Sequence, residues 1–271
     1  MMHRNPAVAG RFYPGDTKTL EKTVADMLSQ AHIKKIEGVI GAVSPHAGYI
    51  YSGGVCAETL NSIDIPETVL ILGPNHHGRG AQIALSDLDW KLPGGIVPIN
   101  RDLLHYILNH ADEAQVDESA HQFEHSLEVQ VPFLQALQKD LSIVPLALSH
   151  IPYSACKKLA TGLALAITQY NKPVLLLASS DMSHYESREA AEIKDKLALD
   201  KLISLDPEGL YQTVSANRIS MCGVIPATVV LEASIQLGGN RAQIIRYTDS
   251  GAVSGDTDQV VGYAGAVISK A

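Results

Sequence analysis

The stretch Thr-Val-Leu-Ile-Leu at 68–72 runs directly into Gly-Pro-Asn-His-His-Gly at 73–78. Four consecutive aliphatic residues behind a β-branched threonine leave no polar face, which is how a strand reads when it is covered on both sides in a parallel sheet. The Gly-Pro-Asn that follows ends the strand, and the next side chains are imidazoles. The same arrangement recurs on either side. Val39 to Val43 ends in Ser-Pro-His-Ala-Gly-Tyr at 44–49, and Pro173 to Ala178 empties into Ser-Ser-Asp-Met-Ser-His at 179–184. A further strand is expected at Ser142 to Leu148. With helical patterns between them, these strands predict an α/β fold, an αβα sandwich around a largely parallel or mixed sheet.

The intervening segments fit that frame. Asp16 is placed to cap a helix whose Leu20, Val24, Met27, Leu28 and Ala31 share a face. A second helical stretch follows Ser52-Gly53-Gly54 and carries Val55, Thr59 and Leu60. Gln82 to Trp90 and the Pro-Gly-Gly at 93–95 suggest a strand and a turn, an antiparallel excursion ahead of a helix with Leu103, Leu104, Ile107 and Leu108. Leu127, Val131 and Leu134 mark a helix starting near 124–128, which Pro132 should bend or limit. Helices are expected at 187–204, 206–216 and 225–236, and strands at 242–248 and 259–268. The sequence carries no linker, low-complexity tract or repeat, so residues 1–271 are expected to form one domain.

Composition narrows the function. Hydrophobic residues make up 46% and charged ones 18%, enough apolar surface to fill a core. Lys and Arg number 21 against 29 Asp and Glu, a net charge of −8 with no basic run, so the electrostatic footprint of a nucleic-acid binder is missing. No apolar stretch reaches the ~18 residues of a membrane span, and the start lacks the apolar core of a signal peptide. A cytoplasmic location is therefore expected, with neither nucleic acid nor membrane as a partner. Cys56, Cys156 and Cys222 are too few and too far apart for a disulfide framework.

In an open α/β sheet, loops leaving the carboxyl ends of strands meet in one crevice. Three polar clusters stand in such loops: His46, His76-His77, and Asp181 with His184. Two imidazoles plus a carboxylate or thiolate on separate strand ends make a three-ligand metal site with open positions. Each residue also has a plainer reading. His46 would hydrogen-bond its turn, one of His76 and His77 would pack or cap, and Asp181 would cap a helix with His184 on its first turn. Glu124 and Glu128 stand four apart, which reads as a solvated helical face; His125 between them is kept as a candidate. Cys222 precedes a predicted helix whose N-terminus would favour the thiolate, whereas Cys56 and Cys156 fall in apolar helical patterns and read as core.

Six segments together resemble one known family: Pro-Ala-Val-Ala-Gly-Arg-Phe-Tyr-Pro at 6–14, Ser-Pro-His-Ala-Gly-Tyr at 44–49, Leu-Gly-Pro-Asn-His-His at 72–77, Glu-His-Ser-Leu-Glu at 124–128, Ser-Ser-Asp-Met-Ser-His at 179–184 and Met-Cys-Gly at 221–223. They resemble the Memo family, whose prokaryotic members are called AmmeMemoRadiSam system protein B, and the likeness extends to Gly-Tyr-Ala-Gly at 262–265. That family is similar in fold to the class III extradiol (LigB-type) non-haem iron dioxygenases. The resemblance implies a metal site on His46, His76 and Cys222, with Asp181 and His184 lining the pocket and His125 a further candidate, these three being the expected catalytic groups. In the dioxygenases the third ligand is a carboxylate; a thiolate there argues against oxygenase activity and widens the metal choice from iron (Fe2+) to copper or zinc. The expected function is a metal-dependent redox protein or oxidoreductase acting on a small molecule. A non-catalytic module that binds a peptide or partner through the same histidine-lined pocket is the alternative, and a zinc hydrolase a third reading. The family name implies a radical-SAM protein and an AMMECR-type protein as partners.

Overall fold

Four parallel strands form the centre of the computed structural model, which describes residues 2–270. In chain order the elements are α1 (Thr17–Gln30), β1 (Val39–Ser44), α2 (Tyr49–Asn61), β2 (Thr68–Pro74), β3 (Ile83–Leu85), β4 (Trp90–Leu92), β5 (Gly95–Val97), α3 (Arg101–His110) and β6 (Gln115–Val116). There follow α4 (Val131–Leu137), β7 (Ser142–Leu148), α5 (Tyr153–Tyr170), β8 (Val174–Ser179), β9 (His184–Glu186), α6 (Arg188–Ile203), α7 (Pro207–Ala216), α8 (Val224–Gln236), β10 (Arg241–Asp249), α9 (Gly251–Ser254) and β11 (Val260–Ser269). The sheet runs β10-β11-β1-β8-β2-β7-β3-β6, with β9 paired to β11 and β4 and β5 forming a separate hairpin.

The expectation of a mixed α/β sandwich holds. β1, β8, β2 and β7 are mutually parallel, while β11 meets β1 and β3 meets β7 in antiparallel fashion. The run at 68–74 is buried at every position; α8, backed by α5, packs on β1, β8 and β2, while α2, with α1 and α4 against it, packs on β1 and β11. α8 is buried at nine of its thirteen positions, as a helix packed between the sheet and neighbouring helices is. Asp16 caps α1 as expected, accepting the Thr19 N–H at 2.9 Å.

Three local expectations are corrected. The helix placed after Ser52-Gly53-Gly54 begins earlier, at Tyr49, whose ring packs 4.8 Å from Phe133 and whose N–H is held by the Phe12 carbonyl. The strand expected over Gln82 to Trp90 is broken, because the Glu118 carboxylate takes the N–H groups of Asp87 (2.7 Å) and Leu88 (3.2 Å) and bends the chain there. No helix starts near 124. α4 begins at Val131 behind a single 3-10 turn over Glu128–Gln130, since Pro132 is accepted only in a first helical turn.

Two glycines let the strand ends converge with their neighbours. A Cβ on Gly73, near the end of β2, would stand 2.6 Å from Leu127 Cδ1 and Ser126 Oγ. A Cβ on Gly223 would collide with the Ser179 carbonyl and Ser180. The loop carrying His125 therefore lies directly on β2, and the start of α8, with Cys222 before it, lies directly on the end of β8.

Candidate metal centre

His46 follows β1, His76 follows β2 and Asp181 follows β8, all at the carboxyl ends of adjacent parallel strands. Ser44 pairs with Ser179 in the ladder, so the turns beyond them start at the same height. His125 arrives from a different place, the loop ahead of α4. One imidazole nitrogen from each of His46, His76 and His125 lies within 4.8 Å of the other two. The rings of His76 and His125 stack at 4.7 Å and 23°, and His46 stands edge-on to both at 5.2 and 5.5 Å.

Hydrogen bonding fixes which nitrogens face inward. The Ser179 hydroxyl donates to the Ser126 carbonyl at 2.6 Å, so its single proton is committed. His46 Nδ1, 2.9 Å from that same oxygen, must donate to it. His46 Nε2 is consequently a bare lone pair, and around it stand Cys222 Sγ at 3.2 Å and Asp181 Oδ2 at 4.0 Å. Gln130 steadies this corner by donating to Ser179 Oγ (3.0 Å) and to the Pro45 carbonyl (2.8 Å). His76 Nδ1 lies 2.9 Å from Glu124 Oε1, which directs its proton to the carboxylate and leaves Nε2 free. An imidazole oriented by a carboxylate is the usual outer shell of a histidine metal ligand.

The electrostatics agree. Burial, reinforced by His76 and His125, pushes the pKa of His46 well below its ordinary value. Burial, partly offset by Glu124, lowers His125 to about 4. Both are therefore neutral near pH 7, the form that binds metal. Burial alone would raise the Glu124 carboxyl, but the hydrogen bond and charge of His76 and the N–H of Ser126 outweigh it and hold Glu124 well below the usual carboxylate range. Burial raises Asp181 to about 6 against the opposing N–H of His46.

The sequence candidates fall into place unevenly. Asp181 caps no helix; its Oδ1 accepts the His46 N–H at 2.7 Å and so steadies the first imidazole. His184 stands at the start of β9, where its Nδ1 donates to the Ser220 carbonyl (3.0 Å) and its N–H to Ser220 Oγ (2.8 Å), leaving Nε2 unengaged by these contacts. Of the pair His76-His77, His76 enters the site, and His77 Nε2 bonds the Phe123 carbonyl at 2.9 Å. Cys222 lies beside His46, outside the imidazole trio, and the expected thiolate is not favoured: burial first, then Asp181, raise the thiol. α8 begins two residues later, at Val224, and its N-terminus does not offset that penalty. Cys56 and Cys156 are core residues, both thiols pushed up to about 12 by burial.

Glu124 and Glu128 overturn the expectation of a solvated face. Both are buried, and they share no α-helix. Glu124 Oε2 accepts the His76 N–H at 2.7 Å, and its Oε1 accepts those of His125 (3.0 Å) and Ser126 (2.9 Å). Their spacing of four invited a helix that Pro132 displaces. Ser179, Ser126 and Gln130 were also missed; the one available sign was that Ser179 opens the polar run past the most apolar strand.

Comparison with known proteins gives one consistent picture. The family model described as "Memo-like protein" matches residues 4–267. A MEMO1 family protein of Methanosarcina mazei is 39% identical over 99% of this chain and 100% of its own length. Another, from Aquifex aeolicus, is 39% identical over 98% of this chain and 99% of its own. The crystal structure of an uncharacterized Escherichia coli K12 protein superposes with a TM-score of 0.60 at 13% identity, over 84% of this chain and 99% of that one, a likeness of fold.

Proposed function

The chain belongs to the Memo family, and from that membership and the histidine trio we propose that it is a metal-dependent redox protein acting on a small molecule. The observation that carries the reading is the convergence of three imidazoles, two of which have their outer nitrogen tied up by a fixed hydrogen bond so that the other faces inward. His46, His76 and His125 would hold the ion, and Cys222 Sγ is a fourth donor once its proton is displaced. Iron (Fe2+) is the proposed metal, with copper or zinc as the alternatives a nitrogen-and-sulfur donor set admits. A bound redox metal would supply electron transfer to or from a substrate at the open positions of the site.

The chain's own groups supply the rest. Asp181 keeps His46 in place through the backbone and presents Oδ2 toward the same opening. His184, with Nδ1 committed to Ser220, offers Nε2 as the acid or base. A second reading has one observation of its own. Phe12, whose ring lies 4.8 Å from His125, also lines a groove of about 680 Å³ with Met27, Ile50 and Tyr51, a shape suited to an apolar peptide side chain.

Anaerobic purification without chelator, elemental analysis and oxygen-uptake assays against small reductants separate the two. Stoichiometric metal, lost in His46→Ala, with uptake above that of free metal supports the redox protein. An absence of bound metal after reconstitution, with peptide binding retained, supports the module.

A further inference from the structure

We propose that the buried ion pair between Arg4 and Glu128 is a positioning device that fastens the N-terminal arm to the loop of Glu124 and His125, and so delivers His125 as the third nitrogen of the site. This rests on the metal reading above.

Arg4 and Glu128 are 4% and 0% exposed and face each other across 124 positions of chain. The guanidinium is a three-way tie. Its Nη1 pairs with Glu128, its Nε donates to the His121 carbonyl at 3.1 Å and its Nη2 to the Glu124 carbonyl at 2.5 Å, while its Cζ lies 4.3 Å from the centre of the Trp90 ring. Two of the three acceptors are thus main-chain oxygens of the loop that leads into His125. Arg4 is itself anchored: its N–H bonds the Asp89 carbonyl at 3.0 Å, and its own carbonyl accepts from Lys91 at 2.9 Å.

Glu128 completes the fastening from the other end. It accepts the N–H groups of Ala7 (2.7 Å) and Val8 (3.1 Å) and the Tyr13 hydroxyl (2.6 Å). The arm between them carries Phe12, whose carbonyl holds the Tyr49 N–H at 2.8 Å and whose ring packs 4.8 Å from that of His125. The loop is therefore gripped by Arg4 at its backbone and by Phe12 at its histidine.

A buried ion pair is a poor stabiliser, since apolar residues of the same volume commonly do as well. What a guanidinium adds is direction, a planar fork that satisfies several acceptors at fixed angles and that a lysine cannot reproduce. That directionality falls on the one imidazole of the trio not carried by a strand end. His46 and His76 are placed by the sheet; His125 has no ladder beneath it.

The test uses Co2+ as probe in the full chain, reading affinity by titration and counting the paramagnetically shifted imidazole N–H resonances, one per bound histidine. The wild type should show three. Arg4→Lys keeps a charge opposite Glu128 but not the ties to both carbonyls; it should melt close to the wild type, show two such resonances and bind ~10–100-fold more weakly, the range typical of lost outer-shell partners. Arg4→Met, which leaves Glu128 its three other donors, should show the same change. Three resonances and wild-type affinity in folded Arg4→Lys overturn the proposal even if Arg4→Met does not fold. A wild type that binds no Co2+, or binds it without these resonances, overturns the metal reading itself and this inference with it.

Discussion

The two walls of the histidine site are built by different means. The inner wall, His46 with Ser179 and Asp181, hangs from the ends of β1 and β8, which pair in register up to Ser44 and Ser179. Its imidazole is 2% exposed and its hydrogen bonds run to groups that the sheet already fixes. The outer wall, His76 with Glu124 and His125, joins one strand end to a loop without regular structure. There the ordering centres on one carboxylate that accepts three backbone N–H groups and one imidazole, on a loop that Arg4 holds from behind through the Glu124 carbonyl. A wall set by a hydrogen-bonded ladder tolerates loss of a side chain without moving; a wall set by one buried side chain does not. The same site should thus lose metal in two distinguishable ways.

The largest effect is expected at the inner wall. His46→Ala should weaken metal binding by more than ~100-fold, beyond what outer-shell changes produce, and leave the melting temperature close to the wild type, because the ladder persists. Calorimetric titration with a paired melting curve checks both; large destabilisation with metal binding intact would break the contrast. At the outer wall, Glu124→Ala should do both kinds of damage. Three N–H groups lose their acceptor, at ~1–3 kcal/mol for a buried donor left unsatisfied, and metal affinity should fall ~10–100-fold as His76 and His125 lose their orientation.

Acid should act next. For His125 the folded pKa of about 4 lies below the ordinary value of 6.5, so below pH 6.5 the unfolded chain binds the proton more readily. Stability is then present above pH 6.5 and lost as the pH falls toward 4, by at most ~3 kcal/mol for a shift of this size. His46 and His121, lowered by burial, act in the same direction. Asp181, raised to about 6, opposes them between about pH 6 and its ordinary 3.8. Chemical denaturation of metal-free protein at pH 7 and pH 5 should give the lower midpoint at pH 5, and His125→Gln should narrow the gap. The smallest effect concerns Cys222. With its thiol raised by burial and Asp181, it should label slowly near neutral pH in metal-free protein, and mass spectrometry after a timed thiol reagent reads this directly.

The contrast between the walls is also why one was legible in the sequence and the other was not. A parallel strand announces itself as an aliphatic run, and the polar residues just past it fall in the crevice, so His46, His76 and Asp181 could be brought together from their places beyond three strand ends. The segment from Glu118 to Gln130 offers no period. Its 3-10 turns are set by long-range partners such as Arg4 and Ser86, and its two glutamates imitate a surface helix. Cys222 misled for a related reason: position before a helix was visible, but the burial that outweighs it depends on Gly223 letting α8 settle onto Ser179.

The most direct test of the central claim is a crystal structure of the protein loaded with Zn2+, a redox-silent probe, with data collected at the zinc absorption edge. One anomalous peak is expected ~2.0–2.1 Å from a nitrogen of each of His46, His76 and His125. A peak that engages fewer than three of these imidazoles, or no ordered ion between them, would contradict it.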